Sequence, residues 1–171
     1  NYTGPKETVA TFNKHENNKD TLIFDAGCGT GLVGVELKKY GFKNFHGADL
    51  SQTLLDTVPK DLYQKLVKVD LNQPIEAEDN FYGGVMCVGT FTFGHVKPNA
   101  LDEFIRITKP GGLICFTINE GIHEEYGFDK KIDILKDSKK WEEVEFFKSD
   151  YIASKDVNAW LGLYSCLLYT S

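Results

Sequence analysis

A strand-like apolar run that passes directly into a glycine-rich turn is the feature that most constrains this fold. The run at residues 22–26 contains Asp25, and Gly27, Gly29 and Gly31 follow it at alternate positions. Glycine lets the backbone turn sharply, and lets its N–H groups approach a ligand at the amino end of a helix. The segment therefore predicts a strand, a ligand-binding turn and a helix, in that order.

Short apolar runs alternate with segments of helical period along the chain, which is typical of repeated strand–helix units. Strands are predicted at 21–25, 43–48, 65–69, 85–88, 113–118, 141–147 and 161–169. The run at 85–88 is wholly apolar and is expected in mid-sheet. The last two runs lack the spacing for a parallel crossover. We predict an α/β, doubly wound, Rossmann-like fold whose seven-stranded, mainly parallel sheet has an antiparallel last strand.

Length and composition narrow the class of protein. The 171 residues fit one domain, 1–171, and the hydrophobic and charged fractions of 42% and 26% are those of a folded globular chain. A net charge of -6 disfavours a nucleic-acid partner, because binding to a phosphate backbone requires a basic surface. We therefore expect no nucleic-acid partner. No apolar run is long enough to span a bilayer or to act as a signal peptide, so we expect no membrane partner and a cytoplasmic location.

The glycine turn alone fits two kinds of ligand. Residues 29–34 match the G-x-G-x-x-G pattern of dinucleotide-binding proteins, and Asp49 could then serve as the ribose acid. The carboxylate of Asp25 would lie beside the pyrophosphate, however, and like charges about 5 Å apart repel by roughly 3 kcal/mol at an effective dielectric near 20. S-adenosylmethionine (SAM), which has an ammonium and a sulfonium but no phosphate, would be attracted instead. The charge pattern therefore favours SAM.

Two further acids end the next two predicted strands. Asp49 follows the second strand, where a carboxylate can accept hydrogen bonds from both ribose hydroxyls. Asp70 follows the third and can accept a hydrogen bond from the adenine amino group, with Leu50 and Leu71 on either side of the ring. Either acid could instead be a helix cap or a solvated loop residue. Together with the turn, they predict an adenosine site at the carboxyl ends of the strands.

In these motifs the chain resembles the class I SAM-dependent methyltransferases over nearly its whole length. Residues 25–31 are similar to the first motif of that family, Asp49 to its ribose acid, residues 70–71 to its adenine contact, and residues 109–112 to its Lys-Pro-Gly-Gly turn. The stretches 89–96 and 100–109 are similar in particular to the Williams-Beuren-region methyltransferase-like proteins. The resemblance implies SAM as cofactor and S-adenosylhomocysteine as product. The cofactor-binding residues predicted in this way are Asp25, Ala26, Gly27, Cys28, Gly29, Gly31, Asp49, Leu50, Asp70, Leu71 and Val88.

The chain departs from the family pattern in places that bear on function. Members usually have a longer N-terminal helical lid, and only residues 1–20 precede the first strand here, so we expect the lid to be short or missing. The Asp/Asn-Pro-Pro-aromatic motif of enzymes that methylate nucleic-acid amino groups is also absent after residue 88. This absence points away from DNA bases as acceptors. The acidic net charge favours a small-molecule acceptor, and a protein acceptor stays open.

The chemistry predicted for the site is methyl transfer to an unidentified acceptor. His95 follows the fourth strand and is either a general base or a loop histidine bonded to a backbone carbonyl. Phe91, Phe93 and Tyr126 are candidates for the acceptor pocket. Cys28 is interpreted as a small turn residue, and the four histidines lack the spacing of metal ligands, so no metal is expected. A non-catalytic SAM-binding module and an NAD-dependent oxidoreductase stay open as alternatives.

Overall fold

The computed structural model describes residues 2–94, 96–152 and 157–167, with the side chains of 150–152 left out. The elements are α1 (Gly4–His15), β1 (Ile23–Ala26), α2 (Leu32–Lys39), β2 (Phe45–Asp49), α3 (Gln52–Leu55), β3 (Lys65–Lys68), β4 (Tyr82–Phe91), α4 (Ala100–Ile107), β5 (Thr108–Asn119), α5 (Glu120–His123), α6 (Phe128–Asp137), β6 (Trp141–Ile152) and β7 (Val157–Cys166). Within the described ranges, none of the helices combines the length and the apolar character needed to cross a membrane.

One seven-stranded sheet organises the chain, in the order β3-β2-β1-β4-β5-β7-β6. Strands β1 to β5 pair in parallel, and β7 runs antiparallel to both β5 and β6. The predicted fold class is confirmed, including the antiparallel last strand and the central position of the apolar run at 85–88. Residues 168–169 of the last predicted strand lie outside the described part of the chain.

Apolar clusters cover both faces of the sheet. One cluster joins the strands to α4, α5 and α6 through side chains such as Phe104, Ile122 and Ile132. The other joins them to α1, α2 and α3 through side chains such as Phe12, Leu37 and Leu55. Because helices lie on both faces, the central strands are apolar on both sides. The positions of the strand ends are thereby fixed by two packed layers.

Helix α1 occupies a mostly polar segment before the first predicted strand. Val9 and Phe12 are fully buried, and Phe12 packs beside Gly84 and against the ring of Phe42 at 5.5 Å between centroids. Two large apolar residues in a polar segment give a weak helical pattern, so this helix was not predicted. It anchors the N-terminal segment to the sheet.

Helices α5 and α6 follow β5 in a polar, charged segment between two predicted strands. Ile122, Phe128 and Ile132 are buried on the inner face of these helices, among charged residues that face outward. The apolar residues are few and are spread over two short helices with a turn between them, which hides their period. Their burial depends on the sheet that they cover.

The boundary predicted for the start of β5 is wrong. Strand β5 was predicted to begin after the Lys109–Gly112 turn, yet it begins at Thr108. The pairing steps from Tyr82↔Thr108 to Gly84↔Leu113, so residues 109–112 form a bulge within the strand. Pairing to β4 on both sides of the bulge is a tertiary feature that the local turn pattern does not reveal.

The connection from β3 to β4 has no helix among residues 69–81 and is held by Arg106 of α4. The guanidinium donates to the carbonyl oxygens of Ile75 and Ala77 and to the carboxylates of Asp79 and Glu103, at 2.7–3.0 Å. Glu103 also accepts from the backbone N–H of Ile75 at 2.7 Å. This network fixes residues 75–79, which follow Asp70 and Leu71 in the same connection.

Candidate cofactor site

A cavity of about 460 Å³ opens at the carboxyl ends of β1 to β4. Its wall brings together many of the predicted cofactor residues: Gly27, Cys28, Gly29, Asp49, Leu50, Asp70, Leu71 and Val88. Asp25, Ala26 and Gly31 do not line it. Tyr2 and Pro5 border the same cavity from the N-terminal side. Ligands of open α/β sheets bind in a crevice of this kind, where neighbouring strands end.

The glycine turn adopts a backbone that other residues rarely adopt. Gly27, Gly29 and Gly31 have φ angles of 71°, 54° and 94°. A Cβ on Gly27 would lie 2.0 Å from Oγ1 of Thr90, whereas a Cβ on Gly29 would meet no protein atom within 4 Å. Gly27 is therefore required by packing inside the protein. Gly29 leaves open space on the cavity side, as a site for a closely approaching ligand needs.

Asp49 lies where β2 ends and is held by two backbone donors. Oδ2 accepts from the N–H of Gly29 and Oδ1 from the N–H of Ser51, both at 2.9 Å. Each carboxylate oxygen has a second lone pair, so the group can still accept hydrogen bonds from a ligand. The two backbone bonds fix the orientation of the carboxylate at the cavity wall.

Asp70 begins the turn after β3. Oδ1 accepts from the N–H of Asn72 at 2.9 Å, which orients the side chain beside the cavity. Leu71 is 5% exposed and Leu50 is 43% exposed, and both line the wall. An acceptor that lines the same cavity as two apolar side chains is a suitable environment for the edge and faces of an adenine ring.

Asp25 lies beneath the turn and is only 1% exposed. Its Oδ2 accepts a hydrogen bond from the hydroxyl of Tyr63 at 2.5 Å. Burial raises the pKa of Asp25 to about 7, and the nearby charge of Asp49 raises it too, while the bond from Tyr63 opposes both effects. Because Asp25 does not line the cavity, its carboxylate acts on a ligand there through its electrostatic field and through the conformation of the glycine turn.

Cys28 is a neutral thiol in this setting. Burial raises the pKa of its thiol, and the carboxylates of Asp25 and Asp49 raise it further. A thiol is nucleophilic as the thiolate, so these surroundings disfavour a nucleophilic role. The backbone N–H of Cys28 donates to the carbonyl oxygen of Ala48 at 2.9 Å and joins the turn to β2.

The end of the cavity beyond β4 is bordered by Thr92, Gly94 and Val96. His95, the candidate base, lies outside the described residues. Phe91 is fully buried in the core, so it does not form an acceptor pocket. Phe93 is 64% exposed, and its ring meets that of Tyr126 edge to face at 6.4 Å between centroids.

Sequence reasoning missed Tyr63, Thr90, Tyr2 and Pro5. The first two pack against the glycine turn and the last two border the cavity. Tyr63 lies in the irregular segment between α3 and β3, which has no periodic pattern. The glycines at Gly34 and Gly47 were a usable signal, because they mark places where a large side chain packs against the backbone. Groups of three or more His, Cys, Asp or Glu side chains with metal-binding geometry do not occur in the described part of the chain.

The residues present fit SAM on three structural grounds. The cavity has open space over Gly29, a fixed carboxylate at the end of β2, and a second carboxylate with apolar neighbours at the end of β3. Among the described residues that line it, none is a lysine or an arginine that could bind a phosphate. With the sheet order described above, these features define a Rossmann-like protein of the class I SAM-dependent methyltransferases.

Comparison with known proteins assigns the family. The family described as "Methyltransferase domain" matches residues 24–116, so the chain belongs to this methyltransferase family. Human methyltransferase-like protein 27 is 36% identical over 126 residues, which are 71% of this chain and 51% of that protein. The ubiquinone biosynthesis O-methyltransferase of Rickettsia akari is 29% identical over 119 residues, 67% of this chain and 46% of that protein. The chain thus spans about half the length of these relatives.

A solved structure supports the same fold. The S-adenosylmethionine-dependent methyltransferase from Mesorhizobium loti superposes with a TM-score of 0.71 and 12% identity, covering 95% of this chain and all of that one. The predicted resemblance to the class I methyltransferases and to the Williams-Beuren-region proteins is confirmed. SAM is the cofactor of the family, which decides against the dinucleotide interpretation of residues 29–34.

Proposed function

We propose that this chain transfers the methyl group of SAM to a small-molecule acceptor. One observation carries the proposal: a single cavity unites the glycine turn with Asp49 and Asp70. These acids lie 20 and 41 positions after Gly29 along the chain, and they meet the turn only because separate strands end there. SAM supplies a methyl group already activated by its sulfonium. The protein therefore has mainly to hold and align its ligands, and such positioning can lower a barrier by roughly 7–11 kcal/mol.

Each side of the cavity has its own task in this proposal. Asp49 would accept from the ribose hydroxyls, and Asp70 would accept from the adenine amino group between Leu50 and Leu71. The glycine turn would receive the amino-acid portion along the open side of Gly29. Val88 and Gly89 would border the methyl-donating end, because they lie in the second half of the central strand and line the cavity.

The acceptor would enter beside residues 92–96. The net charge of -6 disfavours a nucleic-acid acceptor, which supports a small molecule. His95 is proposed as a base or orienting group for an oxygen or nitrogen nucleophile. Phe93 and Tyr126 lie near this border and offer exposed aromatic surface.

Calorimetry with SAM and S-adenosylhomocysteine, followed by methyl-transfer assays over a library of small molecules, tests the proposal. Binding together with transfer to one acceptor class is the expected result. Binding without transfer to any acceptor would favour a non-catalytic binding module, and absence of binding would overturn the cofactor site. Once an acceptor is found, His95→Asn should lower turnover without changing SAM affinity if the histidine acts as a base.

A further inference from the structure

Tyr63 contacts the site on both sides of the glycine turn, although it does not line the cavity. The residue is 7% exposed and lies between α3 and β3. Its hydroxyl donates to Oδ2 of Asp25 at 2.5 Å and accepts from the backbone N–H of Gly34 at 3.1 Å. One phenol group thus connects the end of β1 with the first turn of α2, the two elements that flank the glycine turn.

The ring of Tyr63 fills space that three glycines leave open. A Cβ on Gly34 would lie 2.7 Å from the ring, a Cβ on Gly47 2.9 Å, and a Cβ on Gly31 3.4 Å. The ring also meets Phe45 edge to face at 5.0 Å between centroids. The position of the ring therefore explains why residues 34 and 47 are glycine. It also places the hydroxyl against Asp25 in one defined orientation.

Asp25 depends on this hydroxyl for its hydrogen bonding. Within the described residues, Oδ1 of Asp25 is buried without a partner, so the bond from Tyr63 to Oδ2 is what fixes the carboxyl group. A buried carboxylate with few donors favours its protonated form. Removal of the Tyr63 hydroxyl would therefore shift Asp25 toward the neutral state and leave the N–H of Gly34 without this acceptor.

The other groups facing Asp25 come from three elements. Asp49 at the end of β2 adds negative charge, and Cys28 in the turn and Cys87 in β4 are thiols. Burial raises the pKa of both thiols and of Tyr63 itself, so these three stay protonated near neutral pH. Burial raises the pKa of Asp25 to about 7, so this carboxyl group changes its charge near neutral pH.

We propose that Tyr63 is a positioning residue for cofactor binding, acting through Asp25 and the glycine turn. A charged Asp25 beneath the turn attracts a ligand with an ammonium and a sulfonium, and Tyr63 favours that charged form while holding the turn in shape. This inference rests on the proposed placement of SAM in the cavity.

Tyr63→Phe tests the proposal because it keeps the ring and removes only the hydroxyl. SAM affinity is measured by calorimetry from pH 6 to pH 8.5, with folding checked by circular dichroism at each pH. The wild type should bind more tightly as the pH rises through the pKa of Asp25. The variant should bind several-fold more weakly at pH 7, with the midpoint of its pH profile moved upward. The amino group of SAM titrates alike for every variant, so differences between profiles report on the protein.

Tyr82→Phe is the matched control. Tyr82 is 4% exposed, and its hydroxyl is hydrogen-bonded to Nδ1 of His46 at 2.9 Å, away from the turn. Its removal should change stability but not the pH profile of SAM binding. Asp25→Asn tests whether Tyr63 acts through Asp25. This variant should flatten the pH profile of SAM binding, and adding Tyr63→Phe to it should then leave the profile unchanged.

The outcomes separate this inference from the proposed function. If the wild type binds SAM and Tyr63→Phe leaves the pH profile unchanged, the role of Tyr63 alone is overturned. The same holds if Tyr63→Phe still changes the profile when Asp25→Asn is already present. Failure of the wild type to bind SAM would overturn the cofactor site and this inference with it. An upward-shifted midpoint that requires Asp25 supports the proposal.

Discussion

The carboxylate of Asp49 accepts a hydrogen bond from the backbone N–H of Gly29 at 2.9 Å. These residues end or follow adjacent parallel strands, so the bond ties the glycine turn to the end of β2. It also directs Asp49 toward the cavity that both residues line. The glycine turn and the proposed ribose acid therefore form one structural unit.

Asp49→Ala should weaken SAM binding by about 1.5–3 kcal/mol, the usual contribution of hydrogen bonds to a charged group. Calorimetry measures the effect, and Asp49→Asn should lie between the alanine variant and the wild type. Asp20→Ala is the control, because Asp20 is an exposed acid paired with Lys43 before β1. Unchanged SAM affinity in Asp49→Ala would rule out the ribose role.

Gly29→Ala and Gly41→Ala separate backbone strain from ligand contact. Both glycines have positive φ, 54° and 91°, and a Cβ on either would meet no protein atom within 4 Å. Each variant should lose about 1–2 kcal/mol of unfolding free energy, because a left-handed backbone disfavours a side chain. Only Gly29→Ala should also weaken SAM binding, since Gly41 lies away from the cavity. Equal SAM affinities in the two variants would contradict a close approach of the ligand to Gly29.

The raised pKa of Asp25 predicts a stability that falls as the pH rises. The folded protein holds the proton up to about pH 7, whereas the unfolded chain releases it near pH 3.8. The folded state thus binds more protons between these values, and its stability is greatest at the acid end of that window. Asp25→Asn should remove this loss, so its stability relative to the wild type should increase from pH 5 to pH 8. Denaturant unfolding without ligand measures the difference, and a constant difference would show that Asp25 is already charged at pH 5.

Arg106→Ala should loosen the connection between β3 and β4. The variant loses the donors to the carbonyl oxygens of Ile75 and Ala77, and unfolding should become easier by about 1–3 kcal/mol. Hydrogen exchange should accelerate at residues 72–80 more than in the central strands. Lys131→Ala is the control, since it removes only the exposed ion pair with Asp102. Equal exchange in both variants would show that the segment is held by other contacts.

The sheet was predictable from sequence because each strand has its own local signature. Apolar runs and the turns between them located the parallel strands, and the spacing of the last two runs predicted their antiparallel pairing. The bulge at Lys109–Gly112 was not predictable, because it depends on pairing with β4 on both sides. Helix α1 was missed because Val9 and Phe12 are too few to mark a helical face until the sheet provides a surface for them.

The sequence by itself determined the ordered motifs that favour SAM, namely Asp25, the glycine turn, Asp49 and Asp70. Only the tertiary structure decided which of these side chains reach the cavity. Asp25 is turned beneath the glycines to meet Tyr63, a residue 38 positions away in a segment without any pattern. The physical reason is that local periodicity encodes helices and strands, whereas the surroundings of a buried charge are set by contacts between distant segments.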